Sequence, residues 1–366
     1  MYLDYKGKKT EEEIFELSRQ YENIINYSTD KSLLIKGDNF KGLSGLLKEY
    51  KGKIDLIYID PPFNTEQKFY VSNDRANTIS SSQENATLAY DDTLTKDEYL
   101  EFLRERLFLM RELLTKEGSI YLHIDYKIGH YVKIIMDEVF GEKNFKNDIT
   151  RIKSNPKNFH RKAYGNEKDL ILFYAKNNSN NIWNDVREPM NDLDIEKRFT
   201  KIDEDGRRYT TIPLHAPGET KSGTTGQAWR GIPVPKGRHW RTNPEEFDKL
   251  DAEGKIEWSK TGNPRIKKYA DEHKGKKIQD IWTYKDPQYP KYPTEKNSDM
   301  LEMIIKQSSR EDSIVLDCFA GGGSTLETAD RLGRRWIGID SSIASIEVIR
   351  NSIVADYDFI EIKENL

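Results

Sequence analysis

Apolar positions recur along the chain in two rhythms, and their alternation predicts most of its elements. Ile54-Asp55-Leu56-Ile57-Tyr58-Ile59 is a nearly unbroken apolar run, as expected of a strand buried on both faces of a parallel sheet. Leu33-Leu34-Ile35-Lys36, Ser119 to Ile124, Ser313 to Asp317 and Arg335 to Ile339 carry the same signature. Between these runs the spacing turns helical. An acidic amphipathic helix is predicted from about Thr10 to Ile25, and others over Phe40 to Tyr50 and Tyr131 to Phe140. Thr95-Lys96-Asp97-Glu98 is a capping box, followed by Tyr99, Leu103, Leu107, Met110 and Leu114 at helical intervals and a stop at Gly118. Ile149 to Lys153 and Asp169 to Ala175 read as two more strands joined by a basic loop, Ser154 to Lys168. Strand–helix alternation of this kind predicts an α/β fold with a doubly wound, mostly parallel sheet.

From about Asn177 to Asp286 the alternation dissolves into Gly, Pro and Thr clusters. Five of the six tryptophans fall there, Trp183, Trp229, Trp240, Trp258 and Trp282, with basic residues interleaved among the last four. The chain therefore divides into a capping helix segment at 1–30, two halves of one α/β domain at 31–176 and 287–366, and an inserted lobe at 177–286. Most of these tryptophans read as the lobe's own core. Arg230, Arg238, Arg241, Arg265, Lys267 and Lys268 are the better candidates for contact with an anionic polymer. The segment Glu66 to Ala89 is polar and weak in structural signal, long enough to be a loop that closes over a substrate.

Composition narrows the classes. The chain has 366 residues, 33% charged, with a net charge of −4 and a mean hydropathy of −0.82. No apolar run approaches the roughly 18 residues of a membrane span, and Met1 to Lys6 lacks the apolar stretch of a signal peptide. A cytoplasmic location is expected. One cysteine, Cys318, excludes an intramolecular disulfide and a cysteine-rich zinc site, and six scattered histidines show no metal spacing. The overall charge conceals asymmetry, since Lys255 to Lys277 holds eight Lys/Arg against three Asp/Glu.

Two stretches carry the chemistry. The strand ending at Ile59 stops at Asp60-Pro61-Pro62-Phe63. Prolines cannot continue a central strand, so a stiff turn forms at the strand's carboxyl end, the edge where open α/β sheets bind ligands. An acid, a fixed carbonyl and an aromatic ring suit a planar molecule with an exocyclic amino group. The second stretch is Ser313 to Asp317 followed by Cys318-Phe319-Ala320-Gly321-Gly322-Gly323-Ser324-Thr325. Glycines between a parallel strand and a helix let a ligand approach the backbone. Asp340 follows Asp317 by 23 residues, the spacing of an acid that binds ribose hydroxyls. A nicotinamide dehydrogenase shares that spacing, but its fingerprint is Gly-x-Gly-x-x-Gly, whereas this loop reads Phe-x-Gly-x-Gly.

Asp60-Pro61-Pro62-Phe63 resembles the Asp-Pro-Pro-Tyr/Phe motif of the amino-group DNA methyltransferases, which methylate N6 of adenine or N4 of cytosine. The glycine motif lies C-terminal to it, so the chain is similar to the circularly permuted β-class, which includes the methyltransferases of type III restriction-modification systems. Gly37-Asp38-Asn39, Tyr90-Asp91-Asp92, Asp137 to Gly141 and Tyr292-Pro293-Thr294-Glu295-Lys296 extend the likeness. Cys318 stands where the family often has proline, and Ser324 where it often has threonine. The resemblance implies S-adenosylmethionine as cofactor. Asp317, Phe319, Gly321 and Gly323 would hold its methionine end, Asp340 the ribose and Asp38 the adenine, with Thr294 and Lys296 near the methionine carboxylate. Asp38 can also cap the following helix. Asp60, Pro61, Pro62 and Phe63 would be catalytic, with Asn64 and Tyr90 beside the substrate.

The resemblance further implies double-stranded DNA as substrate, the 177–286 lobe as target-recognition element, a nucleoid-associated cytoplasmic enzyme, and room for a restriction endonuclease partner or a homodimer. Adenine N6 is the expected target, because aspartate at the first motif position is commoner among adenine enzymes. Cytosine N4 is the alternative, and a catalytically silent DNA-binding or cofactor-sensing module is the competing class. His123 reads as a satisfied structural histidine.

Overall fold

The computed structural model describes residues 2–26, 28–62, 68–71, 87–91, 94–155, 162–220, 222–290, 292 and 295–363. It forms two compact units, Met1–Val186 with Gln279–Leu366, and Arg187–Ile278.

The first unit is built on nine strands, β1 (Ser32–Lys36), β2 (Ile54–Ile59), β3 (Leu114–Ile124), β4 (Phe145–Ile152), β5 (Lys168–Ala175), β6 (Ile281–Trp282), β7 (Ile314–Asp317), β8 (Arg335–Asp340) and β9 (Tyr357–Glu361). They lie in the order β6-β4-β5-β3-β2-β7-β8-β1-β9. β5 runs antiparallel to β3 and β4, and every other pairing is parallel. The chain's first strand sits beside a C-terminal one, Leu33 opposite Ile337, and β7 pairs with β2, Val315 opposite Leu56. This mostly parallel sheet has the adjacency that the permuted motif order predicts. Successive residues of β2 and β7 are buried because both faces are covered.

Helices α1 (Glu11–Arg19), α2 (Asn39–Tyr50), α3 (Lys96–Leu113) and α4 (Gly129–Phe140) pack against one another, and α5 (Ser298–Ser308) packs with α6 (Ser324–Arg331). α7 (Ile343–Ser352) follows β8. Capping boxes start α1 and α3, Thr10 with Glu13 and Thr95 with Glu98. α1 is shorter than the predicted Thr10 to Ile25, yet Ile14 and Ile25 are both fully buried, so the N-terminal segment shares the main core. Leu114, expected in the helix, opens β3 instead. Gly338 in β8 lets α6 approach, because a Cβ there would lie 2.3 Å from Leu326 Cδ1.

The second unit holds an antiparallel sheet, Ile256–Trp258, Pro264–Tyr269, Arg208–Pro213 and Lys201–Ile202 in that order. A two-stranded ribbon, His215–Pro217 with Arg238–Trp240, and the helix Pro244–Ala252 complete its frame. Leu214, Trp229, Trp240, Phe247, Ile256 and Ile266 form its core. The second unit is narrower at both ends than the expected 177–286 lobe. Ile182 and Asn184 bond to Glu117 and Gln307, and Ile281 pairs with Thr150, so 177–186 and 279–286 belong with the first unit. Trp282 is accordingly core of the α/β unit rather than of the lobe.

Candidate active site

Four adjacent parallel strands, β2, β7, β8 and β1, deliver acidic residues to one carboxyl edge: Asp60, Asp317, Asp340 and Asp38. At β2 the chain turns through Pro61, buried, and Pro62, half-buried. The two oxygens of the Asp60 carboxylate face different side chains. Its Oδ2 pairs with Lys296 Nζ, and its Oδ1 lies 3.8 Å from His123 Nδ1. Oδ1 is buried and has no hydrogen-bond partner among the described residues. Lys296, expected near a methionine carboxylate, thus stands beside Asp60 in this structure. Phe63, Asn64 and Thr294 lie outside the described residues, as does most of the Glu66 to Ala89 segment. Tyr90 belongs to the strand Thr87–Asp91, which pairs with Lys68–Val71.

The glycine loop is shaped for a ligand. Gly321 and Gly323 have φ of 51° and 79°, a region that side chains disfavour. A Cβ on Gly322 would lie 2.7 Å from Tyr292 Cβ, so the loop sits directly on that buried ring. Asp340 accepts N–H bonds from Gly321 and Ser342, each at 2.8 Å, tying the end of β8 to the loop. Asp317 accepts the Phe319 N–H at 3.0 Å.

Burial pushes the Asp317 carboxyl up to about 7, helped by Asp60 and Asp340 and opposed by hydrogen bonds from Thr325 and the Phe319 N–H. Burial also raises Asp340 to about 6. Desolvated carboxylates gathered at a glycine loop are costly unless a cation joins them. S-adenosylmethionine carries an ammonium, a sulfonium and ribose hydroxyls, so this donor set fits it.

Asp38 has two partners. Its Oδ1 caps α2 through the Lys41 N–H at 3.0 Å, and its Oδ2 lies 3.2 Å from Arg106 Nη2. Next to it, Lys36, Gly37, Lys41, Ser341 and Glu361 line a cavity of about 350 Å³. Sequence reasoning missed Arg106, a buried arginine stacked on Phe102 at 3.6 Å. Its guanidinium bonds Asn39 Oδ1 at 2.5 Å, and Asn39 Nδ2 donates to the Cys318 carbonyl at 2.9 Å, so one arginine braces both motif-bearing loops. Burial lowers its pKa, which Asp38 opposes. Its position on the apolar stripe with Tyr99, Leu103 and Met110 is the signal that could have found it.

In the second unit the expected cations separate into two groups. Arg230 is paired with Asp248 at 2.9 Å and Asp251 at 2.5 Å, and Lys267 with Asp203 at 3.0 Å. Arg238, Arg241, Arg265 and Lys268 have no carboxylate partner among the described residues. Arg241 Nε donates to the Pro213 carbonyl at 3.0 Å, and Arg265 bonds Thr211 twice at 2.9 Å. Beside them His215 Nδ1 is buried without a partner among the described residues. Burial holds the His215 pKa down, as do Arg238, Arg241 and Arg265.

The DNA methylase family model N6_N4_Mtase matches residues 54–351. The chain is 39% identical to type II methyltransferase M.EcaI of Enterobacter cloacae over 363 residues, covering 95% of this chain and 76% of that protein. It is 28% identical to the Mod subunit of the type III restriction-modification enzyme StyLTI of Salmonella typhimurium, covering 84% of this chain and 51% of that subunit. It thus spans about half the length of that relative. The crystal structure of the M1.HpyAVI–SAM complex is similar at a TM-score of 0.46 and 16% identity, covering 88% of this chain and 100% of that one. The family match over most of the chain and the M.EcaI identity establish that the chain belongs to the N6_N4_Mtase family of DNA methylases and is an S-adenosylmethionine-dependent DNA methyltransferase.

Proposed function

We propose that this chain methylates the N6 amino group of an adenine flipped out of duplex DNA. The observation that carries the reading is the Asp60-Pro61-Pro62 turn at the same sheet edge as the glycine loop and Asp317. S-adenosylmethionine supplies the methyl group from its sulfonium. The Asp60 carboxylate and the Pro61 carbonyl accept the two N–H bonds of the amine, which frees its lone pair from the ring. The same acceptors stabilise the positive charge that develops on nitrogen. Phe63 stacks on the base, worth about 1–3 kcal/mol, which offsets part of the few kcal/mol needed for flipping.

Asp317, Phe319, Gly321 and Gly323 hold the methionine end of the cofactor, Asp340 its ribose and Asp38 its adenine. Thr294 approaches the methionine carboxylate, Lys296 stays paired with Asp60, and Asn64 and Tyr90 approach the target base. Aspartate at the first motif position favours adenine over cytosine. The Arg187–Ile278 unit reads target DNA, with Arg238, Arg241, Arg265 and Lys268 on phosphates, while Arg230 and Lys267 serve mainly their own carboxylates. The enzyme is cytoplasmic and works on the nucleoid, with a restriction endonuclease partner or a second copy as candidate company. None of the helices in the described residues is long and apolar enough to cross a membrane.

Asp60→Ala tests this reading. Turnover of labelled cofactor on duplex DNA should fall to background while the cofactor dissociation constant stays within about threefold. Near wild-type turnover would refute it.

A further inference from the structure

We infer that Arg106 is a positioning residue for the adenine of the cofactor: its guanidinium sets the orientation of the Asp38 carboxylate, and with it the preference for a 6-amino over a 6-oxo group. The inference rests on the reading of Asp38 given above and names what makes that side chain selective.

Arg106 lies on α3 and is 5% exposed. Its three nitrogens have different partners. Nη1 donates to the Phe102 carbonyl of its own helix at 2.9 Å and lies 3.8 Å from Glu105 Oε2. Nε donates to Asn39 Oδ1 at 2.5 Å, and Nη2 to Asp38 Oδ2 at 3.2 Å. Two nitrogens therefore leave α3 for successive residues of the turn after β1. The glycine loop meets the same assembly. Asn39 Nδ2 donates to the Cys318 carbonyl, and Phe102, on which the guanidinium stacks, meets the Phe319 ring edge-on at 6.0 Å.

The strands fix the backbone of the turn without the arginine. The Gly37 N–H donates to the Asp340 carbonyl at 2.9 Å, and the Ile362 N–H to the Lys36 carbonyl at 2.8 Å. What they leave free is rotation of the Asp38 side chain. The Lys41 N–H holds Oδ1 at 3.0 Å and Arg106 holds Oδ2, and together they fix the plane of the carboxylate. Each oxygen keeps a further lone pair, the side chain is 49% exposed, and it lines the cavity described above. A carboxylate so held accepts an adenine N–H and repels a 6-oxo oxygen, which separates the two bases by about 10- to 100-fold.

Packing alone explains the buried stem of Arg106 and its stack on Phe102. It does not explain the fork, because a buried arginine paired with a carboxylate adds little stability over an apolar side chain of similar volume. Removing the guanidinium leaves no buried charge alone, since Asp38 is half exposed and Glu105 keeps Lys9 at 2.6 Å. The fold should therefore tolerate Arg106→Met.

The test measures dissociation constants of the full chain for S-adenosylhomocysteine and for S-inosylhomocysteine, which carries a 6-oxo group in place of the 6-amino group. Wild type should prefer the adenosyl compound by about 10- to 100-fold. Arg106→Met should bind it about tenfold more weakly and bind the inosyl compound within about threefold of wild type, so the ratio collapses. A general loosening of the site would weaken both ligands alike. That result, with the ratio standing, overturns the inference. Arg106→Lys should also lose most of the ratio, because one ammonium cannot serve Asn39 and Asp38 as a planar fork does. Should the methionine variant fail to fold, the lysine variant decides: a lowered ratio supports the inference and a wild-type ratio overturns it. Asp38→Asn separates the two readings, since an amide can donate to a 6-oxo group. If wild type shows no preference, or Asp38→Asn keeps it, the reading of Asp38 itself fails. If Asp38→Asn loses the ratio while Arg106→Met keeps it, only the role of Arg106 fails. Adding Arg106→Met to Asp38→Asn should cost no further selectivity, and an additional loss would overturn the inference.

Discussion

Replacing Asp317 by asparagine probes the electrostatics on which the cofactor site depends. Asp317 is 3% exposed, and its carboxyl is carried from the ordinary 3.8 to about 7, chiefly by burial. Between those values the unfolded chain has already released the proton that the folded protein still holds. The stability contributed by the protonated group is therefore complete below about pH 4 and is lost as pH rises toward about 7. At about 1.4 kcal/mol per pH unit, the whole span amounts to about 4 kcal/mol.

Asparagine has nearly the same shape and cannot ionise. Its Oδ1 can still accept the Phe319 N–H, which spans 3.0 Å in the structure, and its amide can donate to Thr325. The variant should match wild type near pH 4 and exceed it by about 2–4 kcal/mol at pH 8. Urea unfolding of the cofactor-free protein, followed from about pH 4 to pH 8, measures the gap. The cofactor should bind the variant at least about tenfold more weakly, because a cation loses its counter-charge. A gap that does not change with pH, or a variant less stable at pH 8, would refute the argument.

Three further outcomes follow from the packing and the charge pairs. Gly338→Ala should cost roughly 1–3 kcal/mol, since its Cβ would meet Leu326 Cδ1 at 2.3 Å. Adding Leu326→Ala should give a double variant less destabilised than the two singles together, as urea midpoints will show. Cys318 is fully buried and its thiol is pushed well up, first by burial and then by Asp317. A thiol-specific reagent should leave it untouched in the native protein and label it at the rate of unfolding. Arg241→Ala should weaken DNA binding evenly across sequences and reduce the salt slope by about 1, measured by fluorescence anisotropy. Arg230→Ala should change that slope far less, because Asp248 and Asp251 already neutralise its guanidinium.

The parallel sheet was legible because its strands are buried on both faces, so each appears as a continuous apolar run that no amphipathic helix imitates. The turn at Asp60 and the loop from Cys318 to Thr325 were legible because proline and glycine punctuate strand ends. β9 escaped notice: Tyr357–Glu361 is a partly exposed edge strand with a weak pattern. β6 is only two residues long, Ile281–Trp282, and its pairing with Thr150 could not be read from either segment. The braces of the site were hidden for a different reason. Arg106 with Asp38, and His123 with Asp169, join residues far apart in the chain, and a buried polar side chain has no signature until its partner is known. The same holds in the lobe, where Arg230 and Arg241 look alike in sequence and only their neighbours tell them apart.

Identification of the methylated nucleoside tests the central claim most directly. The protein, labelled S-adenosylmethionine and duplex DNA of mixed sequence would be incubated together, and the DNA digested to nucleosides and separated. The account predicts label in N6-methyladenine, dependent on Asp60. Label in N4-methylcytosine would overturn the choice of base, and no label at all in DNA, with the cofactor bound, would contradict the account itself.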